Sequence, residues 1–262
     1  MTAGLQRMII STDDSHFREF AYIVAPAWRK IFPHIKLTLA YVSETGLLKK
    51  KFEKYFDEVM VFKPIKNIPN ANLAKIARRF ACTLYDKDVC MIEDIDTAPL
   101  QRKYFENMVA ARKEETLGLI GFEVYANGPH HGKVPSSNTF AESHIWNRAI
   151  NPTNLNFESW AQSFVGLKLF DNKEDVSNSN GKEFSDESLM RAILHMNNFS
   201  DISYINRNAD PHKDWIDRSW WHIDQNKLER NEYLIVNFMR PLDPNAAAPV
   251  INHIIRTMNF DP

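Results

Sequence analysis

The sequence predicts an α/β fold: a single domain with a mostly parallel central sheet flanked by helices. Two observations support this prediction. Short apolar runs typical of buried strands alternate with amphipathic, helix-like segments over residues 1–100, and this order favours right-handed βαβ units. The composition, with 44% hydrophobic and 25% charged residues among 262, is that of a globular chain with a sizeable core.

Four short apolar runs in the first part of the chain predict strands. Between them, apolar residues recur three and four positions apart, which predicts helices that cover the sheet. After residue 100 the pattern is less regular. The strands are predicted at 8–10, 37–42, 59–62, 89–92 and, later, 233–238. The helices are predicted at 17–31, 47–56 and 73–84, from residue 185 onwards, and at 250–258.

Bulk properties exclude several classes of protein. A net charge of −1 does not favour a nucleic-acid partner. The apolar runs are much shorter than the roughly 20 residues that a membrane span needs. Two cysteines do not form a disulfide framework in a chain of this length. We therefore expect a soluble, cytoplasmic protein with no membrane span.

Polar side chains follow two of the predicted strands. Ser11, Thr12 and Asp13 come after the first strand, where they can hydrogen-bond a nucleobase or ribose; the alternative is a simple helix start, with Asp14 or Ser15 as the cap before Phe17. Asp94 and Asp96 come after the fourth strand. Because the carboxyl ends of parallel strands meet at one edge of a sheet, where ligands bind, these residues predict a site there.

Asp94 and Asp96 are two residues apart, so in an extended segment both carboxylates point to the same side. Close carboxylates repel unless a cation joins them. Mg²⁺ or Mn²⁺ suits oxygen ligands and leaves room for substrate phosphates. The pair therefore predicts a metal site that assists departure of a nucleoside diphosphate, although a surface turn with incidental acids has the same sequence.

The segment 92–100, Ile-Glu-Asp-Ile-Asp-Thr-Ala-Pro-Leu, resembles the D-x-D-x-x-P-L/M motif of GT-A-fold glycosyltransferases. The segments 9–13 and 20–33 resemble the start of that fold, including in small enzymes of large DNA viruses. This resemblance implies a GT-A-like, Rossmann-like domain over 1–262. Residues 1–100 would bind a nucleotide sugar, and residues 101–262 would bind the acceptor. The implied donor-contacting residues are Ser11, Thr12, Asp13, Arg78, Arg79, Asp94 and Ile95.

The resemblance also bears on the remaining site residues. Many GT-A enzymes supply a late histidine as third metal ligand, and here Asn237 stands near that place, with His222 and His253 as alternatives. Asp186 and Glu187 resemble the acceptor-side D-E element. They are the catalytic candidates, as a general base or a stabiliser of the sugar cation, although the first turn of a helix also favours acids.

Together these features predict a transferase that uses Mn²⁺ or Mg²⁺ and moves a sugar from a nucleotide-diphosphate donor, UDP being favoured, to a hydroxyl of a glycan or glycoprotein. One alternative is a nucleotidyltransferase or phosphotransferase with a two-acid metal site, but the sequence has no glycine-rich phosphate loop. The other is a non-catalytic carbohydrate-binding domain. Trp220, Trp221 and His222 can stack on a sugar ring, although core packing is the more common role of such residues.

Overall fold

The computed structural model describes residues 4–15, 18–123, 133–166 and 185–257. Its strands are β1 (Arg7–Asp13), β2 (Lys36–Val42), β3 (Glu58–Phe62), β4 (Val89–Ile92), β5 (Thr97–Pro99), β6 (Leu117–Ile120), β7 (Thr139–Glu142), β8 (Ile202–Ile205), β9 (Trp215–Ile216) and β10 (Ile235–Asn237). Its helices are α1 (Ala21–Ile31), α2 (Lys49–Phe52), α3 (Asn70–Ala81), α4 (Arg102–Ala110), α5 (Ser143–Ile150), α6 (Phe157–Gln162), α7 (Asp186–Met196), α8 (Pro211–Asp214), α9 (Gln225–Glu229) and α10 (Pro244–Thr257).

In the described part of the chain, seven strands form a central sheet in the order β3-β2-β1-β4-β7-β6-β8. The pairs β1–β2, β1–β4, β2–β3 and β6–β8 are parallel, and only β7 runs against its neighbours. The predicted α/β fold with a mostly parallel central sheet flanked by helices is therefore confirmed. Strands from both 1–100 and 101–262 share this sheet, while the single-domain assignment and its division near residue 100 stay predictions.

Both faces of the sheet are buried, which explains why its first strands are continuously apolar. Side chains alternate along β1: Met8 and Ile10 enter one core and Ile9 enters the other. Trp28 of α1 packs in the first core, and Ile76 of α3 packs in the second. The two helices thus fix the sheet from opposite sides.

A second, three-stranded sheet, in the order β5-β10-β9, lies next to the carboxyl edge of the first. Its strand β5 follows β4 directly, whereas β9 and β10 come from the last fifty residues. Phe238, just after β10, donates its amide to the Asp96 carbonyl at 2.8 Å. The second sheet thereby brings late residues to the end of β4. Among the described residues, no helix is both long and apolar enough to cross a membrane.

Candidate functional site

A cavity opens at the carboxyl edge of β1 and β4. Its volume is about 230 Å³, a little below the roughly 300–1,000 Å³ of small-molecule sites. We call it the first cavity. The sequence-predicted residues in its wall are Ser11, Thr12, Asp13, Arg78, Asp94, Ile95, Asp186 and Glu187. Most of the predicted site residues are therefore brought together.

Ser11, Thr12 and Asp13 are the last residues of β1 rather than a turn, which corrects the sequence prediction. β2 continues to Val42 and gives backbone pairing as far as Asp13. The three side chains are buried against the end of the sheet and line the first cavity. The Asp13 carboxylate accepts the Ser15 amide at 2.8 Å, which fixes the direction of the chain after the strand.

Asp94-Ile95-Asp96 forms a turn, not the extended segment predicted from the sequence. β4 ends at Ile92, and the Thr97 amide donates to the Asp94 carbonyl at 3.1 Å. The turn has a physical cause: Thr97 begins β5 and pairs with Asn237 of β10, so the chain must leave one sheet for the other. The prediction that an extended backbone directs both carboxylates to the same side is therefore wrong.

The two carboxylates nevertheless lie near one guanidinium. Asp96 is fully buried, and its Oδ1 accepts from Arg240 Nη2 at 2.6 Å. Its Oδ2 accepts from Arg218 Nη1 and Arg240 Nε. The same Arg240 Nη2 lies 4.0 Å from Asp94 Oδ2, so an arginine bridges the predicted metal ligands. We call Asp96, Arg218 and Arg240 the cavity cluster.

Asp94 is held from the other side by α3. Arg78 Nη1 donates to Asp94 Oδ1 at 2.7 Å and to the Glu93 carbonyl at 2.8 Å. Burial raises the pKa of Asp94, but the positive charges of Arg78 and Arg240 outweigh it, and the pKa lies well below its usual range. Asp94 is therefore an ionised carboxylate in the cavity wall.

Asp186 joins α3 to the start of α7 through two arginines. Its Oδ2 accepts from Arg78 Nη2 at 2.6 Å, and its Oδ1 accepts from Arg79 Nη1 at 2.7 Å. We call Arg78, Arg79 and Asp186 the interhelix cluster. Burial raises the pKa of Asp186, but the charges of Arg78 and Arg79 lower it more, so the net pKa is depressed. A carboxylate with a depressed pKa is a weak general base.

Arg79 was predicted to contact a donor, but its side chain is fully enclosed. Besides Asp186, it binds the Lys75 carbonyl of its own helix at 2.7 Å. Burial lowers the pKa of Arg79, and the nearby carboxylate of Asp186 partly offsets that effect. This geometry is that of a structural residue between two helices.

Asn237, the predicted third metal ligand, makes hydrogen bonds at both ends of its amide. Its Oδ1 accepts from the Thr97 hydroxyl at 2.8 Å, and its Nδ2 donates to Asp217 Oδ2 at 2.8 Å. The alternatives are elsewhere engaged or exposed: His253 lies 3.0 Å from Asn231 Oδ1, and His222 is exposed. Asn237 therefore ties β10 to β5 and to the loop after β9.

The predicted ligands do not fit a divalent ion as they stand. Such an ion needs carboxylate or carbonyl oxygens that face one another. Both oxygens of Asp96 accept from guanidinium groups, Asp94 Oδ1 accepts from Arg78, and Asn237 Oδ1 accepts from a hydroxyl. Within the described ranges, no group of three or more His, Cys, Asp or Glu side chains is placed to hold a metal. Metal dependence stays a prediction.

A second cavity adjoins the first. The two share Asp94, Glu187 and Arg218 in their walls, so a ligand in one can meet a ligand in the other. Trp220 also lines the second cavity; it packs at 4.2 Å between ring centroids against His212 and is 39% exposed. Trp220 is therefore a surface aromatic residue rather than a core residue.

Glu187 occupies the boundary between the cavities, one residue into α7. The Ser185 hydroxyl, at the N-cap position, donates to its carboxylate. Whereas the neighbouring Asp186 is paired with two arginines, Glu187 lines both cavities. Of the two predicted catalytic acids, Glu187 has the position that a group acting between two substrates needs.

Sequence reasoning missed two cations, Arg218 and Arg240. Arg218 lies in a short 3-10 turn after a two-residue strand, β9, and such a segment has no periodicity to detect. Arg240 follows β10 by three residues and precedes Pro241. The available signal was its closeness in sequence to Asn237, but that residue was considered only as a metal ligand.

Fold and site together define an α/β protein with two adjoining cavities lined by paired acids and arginines at the carboxyl edge of its sheet. No protein-family model matches the chain, and no curated protein matches it. Among solved structures, it is similar to the galactosyltransferase LgtC in complex with donor and acceptor sugar analogues, at 10% identity, a TM-score of 0.47 and 98% coverage of each chain.

The chain is also similar to the glycosyltransferase GlyE of Streptococcus pneumoniae TIGR4, at 9% identity and a TM-score of 0.49. That match covers 95% of this chain and 61% of that chain. TM-scores below 0.5 do not establish a shared fold or activity.

Proposed function

We propose that the protein is a GT-A-like glycosyltransferase that moves a sugar from a nucleotide-diphosphate donor, UDP being favoured, to a hydroxyl of a glycan or glycoprotein. The observation that carries this proposal is the pair of adjoining cavities that share Asp94, Glu187 and Arg218. Group transfer between two substrates requires two binding spaces that meet at the reacting atoms.

The first cavity suits the donor. Polar side chains at the end of β1, Ser11 to Asp13, offer hydrogen bonds to a ribose or base. Lys75, Arg218 and Arg240 also line this cavity, and their positive charges suit a diphosphate. Nucleoside and diphosphate contacts in one cavity match the nucleoside diphosphate part of a nucleotide sugar.

The second cavity suits the acceptor. The partly exposed ring of Trp220 is a surface on which a sugar can stack, because aromatic faces bind the apolar side of sugar rings. Asp217, Ser219 and Asn138 add polar groups to the lining of this cavity. The acceptor hydroxyl would enter the junction beside Glu187.

The reaction exchanges one bond of the sugar for another. The bond from the anomeric carbon to the diphosphate oxygen breaks, and its electron pair stays on the departing diphosphate. The acceptor oxygen bonds to the anomeric carbon and loses its proton. In this proposal the Glu187 carboxylate takes that proton, and the nearby arginines stabilise the charge on the leaving group.

Two other functions are separated by measuring binding and turnover with UDP-sugars and with nucleoside triphosphates. UDP-sugars are incubated with the protein, with and without Mn²⁺, and UDP release is measured. Release of UDP from at least one UDP-sugar, reduced in Glu187→Gln and retained in Arg148→Gln, supports glycosyl transfer. Arg148 is a matched control because it is an exposed arginine of α5 that is paired with Asp201. Turnover of nucleoside triphosphates instead would indicate a phosphotransferase, and binding without turnover would indicate a carbohydrate-binding domain.

A further inference from the structure

The carboxylate of Asp96 faces the protein interior, although it belongs to the motif that predicted a metal. It is fully buried, and its oxygens accept three hydrogen bonds from Arg218 and Arg240. Asp96 is absent from the first-cavity wall, whereas Asp94, two residues earlier, is part of it. Asp96 therefore contacts the arginines rather than the cavity.

Arg218 and Arg240 are the members of the cavity cluster that reach the cavity. Their side chains are 38% and 27% exposed, and both line the first cavity. Within the described residues, Arg218 donates to protein through Nη1 alone, so its Nε and Nη2 remain for a ligand. Asp96 thus holds this guanidinium through one nitrogen, and the side chain lines both cavities.

We infer that Arg218 and Arg240, positioned by the buried Asp96, meet the diphosphate of the donor in place of a divalent ion held between Asp94 and Asp96. This inference rests on the proposed function and names the chemistry that recognises its leaving group. A guanidinium forms two parallel N–H···O bonds with a phosphate, which a compact metal ion does not.

Geometry favours arginines over a metal in this position. An ion that bridged Asp94 and Asp96 would take carboxylate oxygens from Arg240 and Arg218 and leave two guanidinium groups without their acid. Arg240 already lies against both carboxylates, which is where the ion would sit. When the sugar–oxygen bond breaks, the electron pair adds negative charge to the diphosphate, and cations fixed in advance stabilise that charge.

The inference is tested by titrating the full-length protein with UDP as the probe, by calorimetry, in EDTA and again in Mn²⁺ or Mg²⁺. We expect the UDP dissociation constant to agree within about threefold between the two conditions. A UDP dissociation constant that is lower by tenfold or more with the metal than in EDTA would overturn the inference but not the proposed function. Undetectable UDP binding in both conditions would overturn both.

Variants identify the residues responsible. In EDTA, Arg218→Gln should weaken UDP binding by about tenfold or more, because a hydrogen bond to a charged group is lost. Arg148→Gln, which removes an exposed arginine of α5 outside both cavities, should not change it. Unchanged affinity in Arg218→Gln, with a thermal unfolding curve like that of the natural protein, would contradict the assignment.

Asp96→Asn separates a positioning role from a metal-ligand role. If Asp96 positions the arginines, Asp96→Asn should weaken UDP binding in EDTA, because Arg218 and Arg240 lose the carboxylate that orients them. If Asp96 is instead a metal ligand, UDP binding in EDTA should be unchanged, and any increase in UDP affinity caused by Mn²⁺ should be lost. This second result would overturn the inference. If Asp96→Asn fails to fold, Arg240→Gln in EDTA provides the same comparison, because its side chain is partly exposed.

Discussion

The interhelix cluster and the cavity cluster have the same composition, two arginines and one aspartate, but opposite exposure. In the interhelix cluster the arginines are buried, at 3% and 0% exposure, and Asp186 is 13% exposed. In the cavity cluster Asp96 is fully buried, whereas Arg218 and Arg240 are 38% and 27% exposed. The aspartate is therefore the most exposed member of the interhelix cluster, whereas the arginines are the exposed members of the cavity cluster.

This difference separates stability from recognition. Buried arginines are costly without a carboxylate, so Arg78 and Arg79 use Asp186 to join α3 and α7. Partly exposed arginines retain contact with water, so Arg218 and Arg240 can exchange water for a phosphate while Asp96 holds them. Which member of an ion pair is buried decides whether the pair supports the fold or a ligand.

The largest expected effect is on stability in the interhelix cluster. Asp186→Asn should lower the free energy of unfolding by about 3–5 kcal/mol at pH 7, because the buried guanidinium of Arg79 loses its carboxylate and that of Arg78 keeps only Asp94. Asp96→Asn should cost less, about 1–3 kcal/mol, since its arginines can reach water. Urea unfolding of both variants measures the difference, and a larger loss in Asp96→Asn would break the comparison.

The effect of Asp186 should also depend on pH. An unfolded aspartate has a pKa of about 3.9, and the folded pKa of Asp186 is lower. Its pairing therefore contributes stability that is fully present above that value and is lost as pH falls through the folded pKa. The gap in unfolding free energy between the natural protein and Asp186→Asn should be largest near pH 7 and shrink below about pH 4. A gap that stays constant down to pH 3 would contradict the ionic account.

Glu187, next to Asp186, should affect turnover rather than stability. Glu187→Gln keeps the size of the side chain and removes its basicity, so turnover should fall by about 100-fold or more. The UDP dissociation constant should remain within about twofold, and the unfolding free energy within about 1 kcal/mol. Equal turnover in Glu187→Gln and the natural protein would show that Glu187 is not the general base.

The smallest expected effect on stability is that of replacing Arg218, the more exposed arginine of the cavity cluster. Arg218→Gln should change the unfolding free energy by no more than about 1 kcal/mol, because Arg218 is partly exposed and the buried Asp96 keeps its two hydrogen bonds from Arg240. Arg79→Gln is the matched contrast, since its side chain is fully enclosed, and should cost several times more. Similar losses in the two variants would remove the distinction between the clusters.

The sequence predicted the parts of the molecule that local patterns determine. The first four strands are apolar runs between helical segments, so their order and the polar carboxyl edge were predictable from residues 1–100. The end of β1 was misjudged, because Ser11 to Asp13 remain in the strand only while β2 provides their backbone partners. The local sequence reads as a turn, and the neighbouring strand overrides it.

The ion pairs were beyond sequence reasoning. Asp186 lies 107 positions from Arg79, and Arg240 lies 144 positions from Asp96. Likewise, the turn at Asp94–Asp96 arises because β5 pairs with the late strand β10, and nothing near residue 96 signals that pairing. The predicted acids were therefore found, but the cations that decide their roles were not.

The most direct test of the account is a crystal structure of the protein with UDP and Mn²⁺ present. The account predicts the diphosphate in the first cavity, within hydrogen-bonding distance of Arg218 and Arg240, with Asp96 still bound to both arginines. A Mn²⁺ ion coordinated by Asp94 and Asp96, with the two arginines displaced from Asp96, would contradict it.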